Sequence, residues 1–209
     1  MGYTETVKFI VAMIIMMNPL SSLSIFLQLT DKFSTLNQQK TALKCGLSIL
    51  IIMIITIWLG GDLLDLLGIT IDSFRVAGGI ILFLTGLSML QSKDSPISHT
   101  PEDDIAAEER SSIAIVPLAL PIIMGPGSIS TLVIASNDYP LLIQKGWLTL
   151  LCIALAVGVG YILYHGVWIA KLIGESVIKV ITRIMGMLIM AIAAGMFTNG
   201  LQGLIPSLR

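Results

Sequence analysis

Charge is scarce in this sequence. Only 12 Lys and Arg and 13 Asp and Glu occur among 209 residues, a charged share of 12% where a soluble domain has ~25%. That excludes an ordinary solvated globular surface. With a net charge of -1 and the charges confined to connections between apolar runs, it also excludes the basic face that nucleic acid requires. Cysteine and histidine are almost missing, two of each. Cys45 and Cys152 fall in or beside apolar runs without metal-ligand spacing, so they read as small buried hydrophobes and not as a disulfide. No metal and no other cofactor is expected. A basic stretch followed by a short apolar run and a small-residue cleavage site is absent from the N-terminus, which reads as a retained first helix.

What is abundant is apolar length. Apolar residues make up 55% of the chain, and the mean hydropathy is +0.92. A hydrocarbon layer of ~30 Å is crossed by ~20 apolar residues in a helix. Six such spans are expected: Phe9 to Leu29, Ala42 to Leu67, Phe74 to Leu90, Ile113 to Ala135, Trp147 to Ala170 and Ile184 to Ile205. The fold expected is therefore an all-α integral membrane protein, one membrane domain over residues 1–209. Residues 92–112, rich in Asp, Glu, Ser and Pro, read as a solvated polar linker between two halves of three helices. Eight Lys and Arg (Lys32, Lys40, Lys44, Lys93, Arg110, Lys171, Lys179, Arg183) fall on the linker's side and four (Lys8, Arg75, Lys145, Arg209) on the other. The positive-inside rule makes the first side cytoplasmic and leaves both termini periplasmic.

Two spans are interrupted. Met17-Asn18-Pro19-Leu20-Ser21-Ser22-Leu23-Ser24 places a proline and small polar groups inside the first, and Pro121-Ile122-Ile123-Met124-Gly125-Pro126-Gly127-Ser128-Ile129-Ser130-Thr131 does so in the fourth. Proline withholds an amide and crowds the carbonyl four residues back, so each helix is expected to break. In lipid an unpaired backbone group costs several kcal/mol, so the breaks must face protein or a water-filled cavity. A half-helix starting after each proline offers free amides and a positive dipole end, which suits a carboxylate. The candidate substrate-binding residues are Asn18, Pro19, Ser21, Ser22, Ser24, Gly125, Pro126, Gly127, Ser128, Ser130 and Thr131. The alternative is a pair of structural kinks whose hydroxyls bond back to the preceding turn.

The halves repeat weakly. Arg75 with Arg183, Gly78 with Gly186 and Gln91 with Asn199 align at a shift of 108, and Pro19 with Pro126 at 107. Three spans per half oblige the second to enter from the opposite side, giving two inverted three-helix repeats over 1–91 and 113–209 with broken first and fourth helices. Gly78, Gly79, Gly86, Gly186, Ala191 and Gly195, with the pairs Ala154/Gly158 and Ala156/Gly160, are expected to let helices approach closely. Met13, Met16, Met17, Met185, Met187 and Met190 read as adaptable filling.

Four ionisable residues are candidates for gating or coupling. Arg75 and Arg183 begin the third and sixth spans, where an arginine either snorkels to headgroups or locks the ends of the broken helices. Asp62 and His165 lie near span ends; His165, beside Tyr161, Tyr164 and Trp168, suits an interfacial belt as well as proton coupling. No span has a central carboxylate, which leaves the coupling ion open between H+ and Na+.

Across its whole length the chain resembles the MarC family of bacterial inner-membrane proteins. The resemblance is carried by NPLSSLSIFLQLT (18 to 30), FRVAGGIILFLTGLSML (74 to 90), PLALPIIMGPGSIST (117 to 131) and RIMGMLIMAIAAGMFTNGL (183 to 201). It implies a six-helix bacterial inner-membrane protein related to amino-acid exporters of the LysE type, some members moving glycine and alanine. The family name records an association with multiple antibiotic resistance. The motif residues it carries over are Asn18, Pro19, Gly125, Pro126 and Gly127. Ser21 and Ser22 stand where many relatives have Gly or Ala after Leu, which leaves the substrate range open.

The function expected is secondary transport of a small neutral amino acid by alternating access, with a zwitterion as partner, the lipid bilayer as surroundings and a homo-oligomer possible in either case. The rivals are a membrane structural or regulatory protein without a substrate, drug or metabolite efflux, and a rhomboid-like serine protease built on Ser128. The last lacks a histidine in its final helix, and His165 in the fifth is the only base on offer.

Overall fold

The computed structural model describes residues 2–91, 119, 123–205 and 207. Among these the chain is helical throughout: α1 (Tyr3–Met17), α2 (Pro19–Leu29), α3 (Thr35–Leu66), α4 (Ile71–Gln91), α5 (Pro126–Asp138), α6 (Leu142–Tyr164), α7 (Gly166–Ile173) and α8 (Glu175–Leu204). Five stretches are long and apolar enough to cross a membrane: Tyr3–Leu29, Thr35–Leu66, Ile71–Gln91, Leu142–Tyr164 and Ser176–Leu204. The expected fourth span, 113–135, lies partly outside the described residues and the linker at 92–112 wholly so; the described part of the span is residues 119 and 123–125 and the half-helix α5.

The burial pattern fits lipid and not water around the bundle. On α3, Leu43, Leu47, Ile51, Ile55, Leu59 and Leu63 recur every fourth residue and are all exposed, while Ala42, Cys45, Ile49, Met53 and Ile57 on the opposite face are buried. A helix apolar on both faces has no side for water. Cys45 and Cys152 are free thiols within the core.

Helix ends define two faces. At one, Trp147 Nε1 donates to Thr6 Oγ1 at 3.4 Å, and Arg75 pairs with Asp138 at 3.0 Å, gathering the starts of α1, α4 and α6 and the end of α5. At the other, Gln38 Nε2 donates to the Thr30 carbonyl at 2.8 Å, joining the end of α2 to the start of α3. From its break α2 therefore runs toward one face and α5 toward the other.

Glycines set the α4–α8 contact. A Cβ on Gly86 would lie 2.6 Å from the Gly186 carbonyl, one on Gly186 2.9 Å from the Gly86 carbonyl, and one on Gly79 2.9 Å from the Ala193 carbonyl. The helices pass antiparallel at backbone contact distance, as small residues permit where no hydrophobic force drives helices together. Gly46 and Gly160 bring α3 to α6 in the same way.

Several expectations need correction. The fifth span does not continue to Ala170: α6 ends at Tyr164, and His165 (φ -93°, ψ 16°) turns the chain into α7. Gly166 permits the turn because a Cβ there would press on Leu23 of α2, 2.6 Å from its Cδ1. The sixth span begins earlier, since α8 starts at Glu175 after Gly174 (φ 79°). Its first turns carry Lys179 and Arg183 and so escape a reading based on apolar length. Gly158 and Gly195 have no described atom within 4 Å of where a Cβ would stand, so neither brings described helices together. Met187 is exposed and fills no described core.

Candidate functional site

The first break rests on one residue. Asn18 closes α1, its amide donating to the Ile14 carbonyl at 3.0 Å, and opens α2, its carbonyl accepting from the Ser22 amide at 3.1 Å. Joining two helices through a single residue puts it in the left-handed region, φ 40° and ψ 64°; no other described non-glycine residue has a positive φ. Asparagine is among the few residues that enter that region routinely. Pro19 then takes the first helical position, where its fixed φ suits the start and its missing amide is not needed.

The polar side chains at this break form a relay. Asn18 Nδ2 donates to Ser21 Oγ at 2.7 Å, and Ser21 Oγ lies 2.6 Å from Thr182 Oγ1 on α8. Thr182 gives its proton to the Ile178 carbonyl at 2.8 Å. Because a hydroxyl has one proton, Ser21 must be the donor in its contact with Thr182. Ser22, buried, donates to the Met17 carbonyl at 3.2 Å, meeting one carbonyl at the end of α1. Ser24 is half-buried on the next turn.

The second break is built differently. Gly125 precedes α5 in extended conformation (φ -68°, ψ 170°) and Pro126 takes the first helical position. Gly127 faces Leu82 of α4 so closely that any Cβ would collide with it. Ser128 and Ser130 are buried, and Ser130 Oγ would lie 2.7 Å from a Cβ on Gly78. Among the described residues no side chain caps the start of either α2 or α5. The amides of Leu20 and Ser21, and of Gly127 and Ser128, thus head the two half-helices without a side-chain acceptor, as the first turn of any helix leaves them.

The breaks are linked through Thr131, whose Oγ1 lies 2.9 Å from Met16 Sδ and 3.0 Å from the Gly127 carbonyl. From this contact a cavity of about 290 Å³ runs between α1, α5 and α8, near the lower end of the ~300–1,000 Å³ common for small-molecule sites. Ala12 and Met16 line it from α1, Thr131, Ile134 and Ala135 from α5, and Ile192 and Met196 from α8. Glu5, Lys8, Asp138 and Tyr139 surround its mouth. Desolvation first, and then the nearby Glu5 carboxylate, hold the Tyr139 phenol above its ordinary range. Arg75 holds Asp138 at 3.0 Å and Asp72 at 3.1 Å, fastening the end of α5 to α4.

Of the candidate residues, Thr131 alone is among the described residues lining this cavity; the others of the two breaks lie beyond it. Asp62 is exposed near the end of α3. Arg183 is exposed on α8, one residue beyond Thr182, and engages in a contact of its own. His165 lies between Tyr161 (4.6 Å) and Tyr164 (5.0 Å) and lines a second cavity, whose walls do not include Ser128. No His, Cys, Asp and Glu group suited to a metal occurs among the described residues.

Thr182 and the mouth residues Glu5, Asp138 and Tyr139 carry no signal in the sequence like that of the two breaks, and Met16, expected as filling, also lines the cavity. The cavity lining does recur as a pair of faces at helical spacing, 5, 8, 12, 16 on α1 and 131, 134, 135, 138 on α5, each passing from charged to small or sulfur-bearing residues. Nothing in Thr182 itself announces its contact, which spans 161 residues of chain.

A profile described as "MarC family integral membrane protein" matches residues 3–205. The chain is 32% identical over 201 residues to UPF0056 membrane protein YhcE of Escherichia coli (strain K12), across 96% of this chain and 94% of that protein. It is 34% identical over 203 residues to a UPF0056 membrane protein of Aquifex aeolicus (strain VF5), across 95% and 93%. With UPF0056 membrane protein YvbG of Bacillus subtilis (strain 168) the identity is 28% over 210 residues, across 100% and 99%. No solved structure matches.

Proposed function

Since the chain belongs to the MarC family of multi-pass integral membrane proteins, we propose that it is a secondary transporter, an exporter or exchanger of a small neutral amino acid in the bacterial inner membrane, related to LysE-type exporters. One observation carries this reading: two half-helices begin with proline and no described side-chain cap, and a cavity between α1, α5 and α8 reaches Met16 and Thr131, three residues before Pro19 and five after Pro126. At 1.5 Å per residue, the 11 residues of α2 and the 13 of α5 place these starts roughly 16 and 20 Å from their respective faces, near the middle of a ~30 Å layer.

In this mechanism the substrate enters past Glu5, Lys8 and Asp138, which present both signs of charge to a zwitterion. Its carboxylate is held by the amides heading α2 and α5, at Leu20, Ser21, Gly127 and Ser128, aided by the positive ends of both half-helices. Its ammonium faces carbonyls freed by the breaks, such as Ile15, whose i+4 residue is Pro19. Met16 and Thr131 form the floor of the cavity and admit only a small side chain. Six helices in two inverted repeats, 1–91 and 113–209, would let the cavity open alternately to either face, with both termini periplasmic. The opposite courses of α2 and α5 and the reciprocal Gly86–Gly186 contact support that symmetry.

The relay Asn18–Ser21–Thr182 favours one other reading, a structural or regulatory membrane protein whose polar groups serve only one another. The cavity weighs against it. A thermal-shift screen of the purified protein separates the two. A ligand that binds only the folded form stabilises it by RT ln(1 + [L]/Kd), about 2.7 kcal/mol at a hundredfold excess. Glycine, alanine and serine are expected to stabilise and phenylalanine is not. Stabilisation by drugs alone would move the substrate class to efflux, and a response to no ligand would favour the structural role.

A further inference from the structure

The second cavity, about 270 Å³, lies at the opposite face between α2, the start of α3 and the α6–α7 turn. Its composition differs from that of the first. Lys171 and His165 line one side, Gln38 and Gln39 another, and none of the described lining residues is acidic. Its deep wall is apolar, formed by Phe26 and Leu163, each 1% exposed. Trp168, 65% exposed, stands at its edge one helical turn before Lys171.

We infer that this cavity is a binding site for the phosphate headgroup of an anionic phospholipid. Among the described residues the polar side has the Lys171 ammonium and amide donors and no carboxylate to repel a phosphate, and the apolar wall suits the glycerol and first methylenes of a lipid. Position agrees: the first turn of α3 and the end of α6 mark the interface between hydrocarbon and water, where basic pockets between helices take anionic headgroups and tryptophan sits at headgroup level. The site exists because the chain turns at His165. A straight continuation of α6 would carry Trp168 and Lys171 along the α6 axis and away from Gln38, whereas Gly166 seats α7 against α2. The inference does not depend on transport, since it shares no lining residue with the first cavity.

The test is native mass spectrometry of the full chain in detergent, titrated with phosphatidylglycerol, phosphatidylcholine or inorganic phosphate. Phosphatidylglycerol is expected to bind more tightly than phosphatidylcholine, and Lys171→Gln to weaken it about fivefold, the worth of ~1 kcal/mol for one interfacial cation. Lys44→Gln, which removes an exposed lysine outside the cavity, should leave it unchanged. Both substitutions are at exposed positions, and unchanged melting temperatures establish that each variant is folded. Equal binding of the two lipids would overturn the inference. So would equal loss in the two variants, which would mean a diffuse surface charge, or inorganic phosphate displacing the lipid completely, which would mean a site for the free anion.

Discussion

Thr131 Oγ1 of α5 lies 2.9 Å from Met16 Sδ of α1, so the two interrupted helices meet at the inner end of the cavity. Thr131→Val keeps the volume and removes the hydroxyl. It should cost about 1 kcal/mol or less, the usual net worth of one hydrogen bond, and leave small amino acids able to stabilise the protein. Thr131→Phe fills the space instead. It is expected to melt within a few degrees of wild type yet lose stabilisation by glycine and alanine. A Thr131→Phe protein that still responds to glycine would place binding elsewhere.

Asn18 is held by its backbone as much as by its side chain. Asn18→Ala forces alanine into the left-handed region, a cost of roughly 1–2 kcal/mol, and removes the bond to Ser21. Asn18→Gly loses the same bond without the backbone cost. The glycine variant should therefore melt above the alanine variant, and the reverse order in thermal denaturation would contradict the left-handed assignment.

This residue also marks how far the sequence reaches. Proline inside an apolar run is legible, and α2 and α5 begin at Pro19 and Pro126 because only there does proline cost a helix nothing. The single-residue joint is not legible, since Asn-Pro is compatible with a gentle kink as well as with a left-handed turn. The end of α6 at Tyr164 is hidden for another reason: Gly166 sits in an apolar run, and its close approach to Leu23, 143 positions away in sequence, is set by tertiary packing. Helix existence was written in apolar length, whereas the relay to Thr182 and the cavity walls depend on which helices become neighbours.

Gly127 and Leu82 should behave as a coupled pair. Gly127→Ala introduces a methyl group into the Leu82 side chain, and overpacking of this kind costs about 1–3 kcal/mol. Leu82→Ala removes the obstacle while opening a cavity of its own. The double variant is expected to be more stable than the sum of the single losses predicts, a non-additivity of roughly 0.5–3 kcal/mol for residues in contact. Strict additivity in a thermal double-mutant cycle would refute the contact.

Glycines in different surroundings should respond oppositely to alanine. At Gly86 the new methyl meets backbone, the Gly186 carbonyl at 2.6 Å, so α4 and α8 must separate and the melting temperature should fall. At Gly158 no described atom lies within 4 Å, and the better helix propensity of alanine is expected to leave stability unchanged or raise it by up to ~1 kcal/mol. Equal destabilisation at both positions would contradict the α4–α8 approach as the tight one.

The most direct test of the transport account is counterflow in proteoliposomes, in which vesicles loaded with unlabelled glycine are supplied with labelled glycine or alanine outside. The account predicts saturable accumulation of label that is competed by small neutral amino acids, insensitive to phenylalanine, and abolished in Thr131→Phe. Vesicles holding folded protein that exchange no small amino acid faster than empty vesicles, or that exchange equally well with Thr131→Phe, would contradict it.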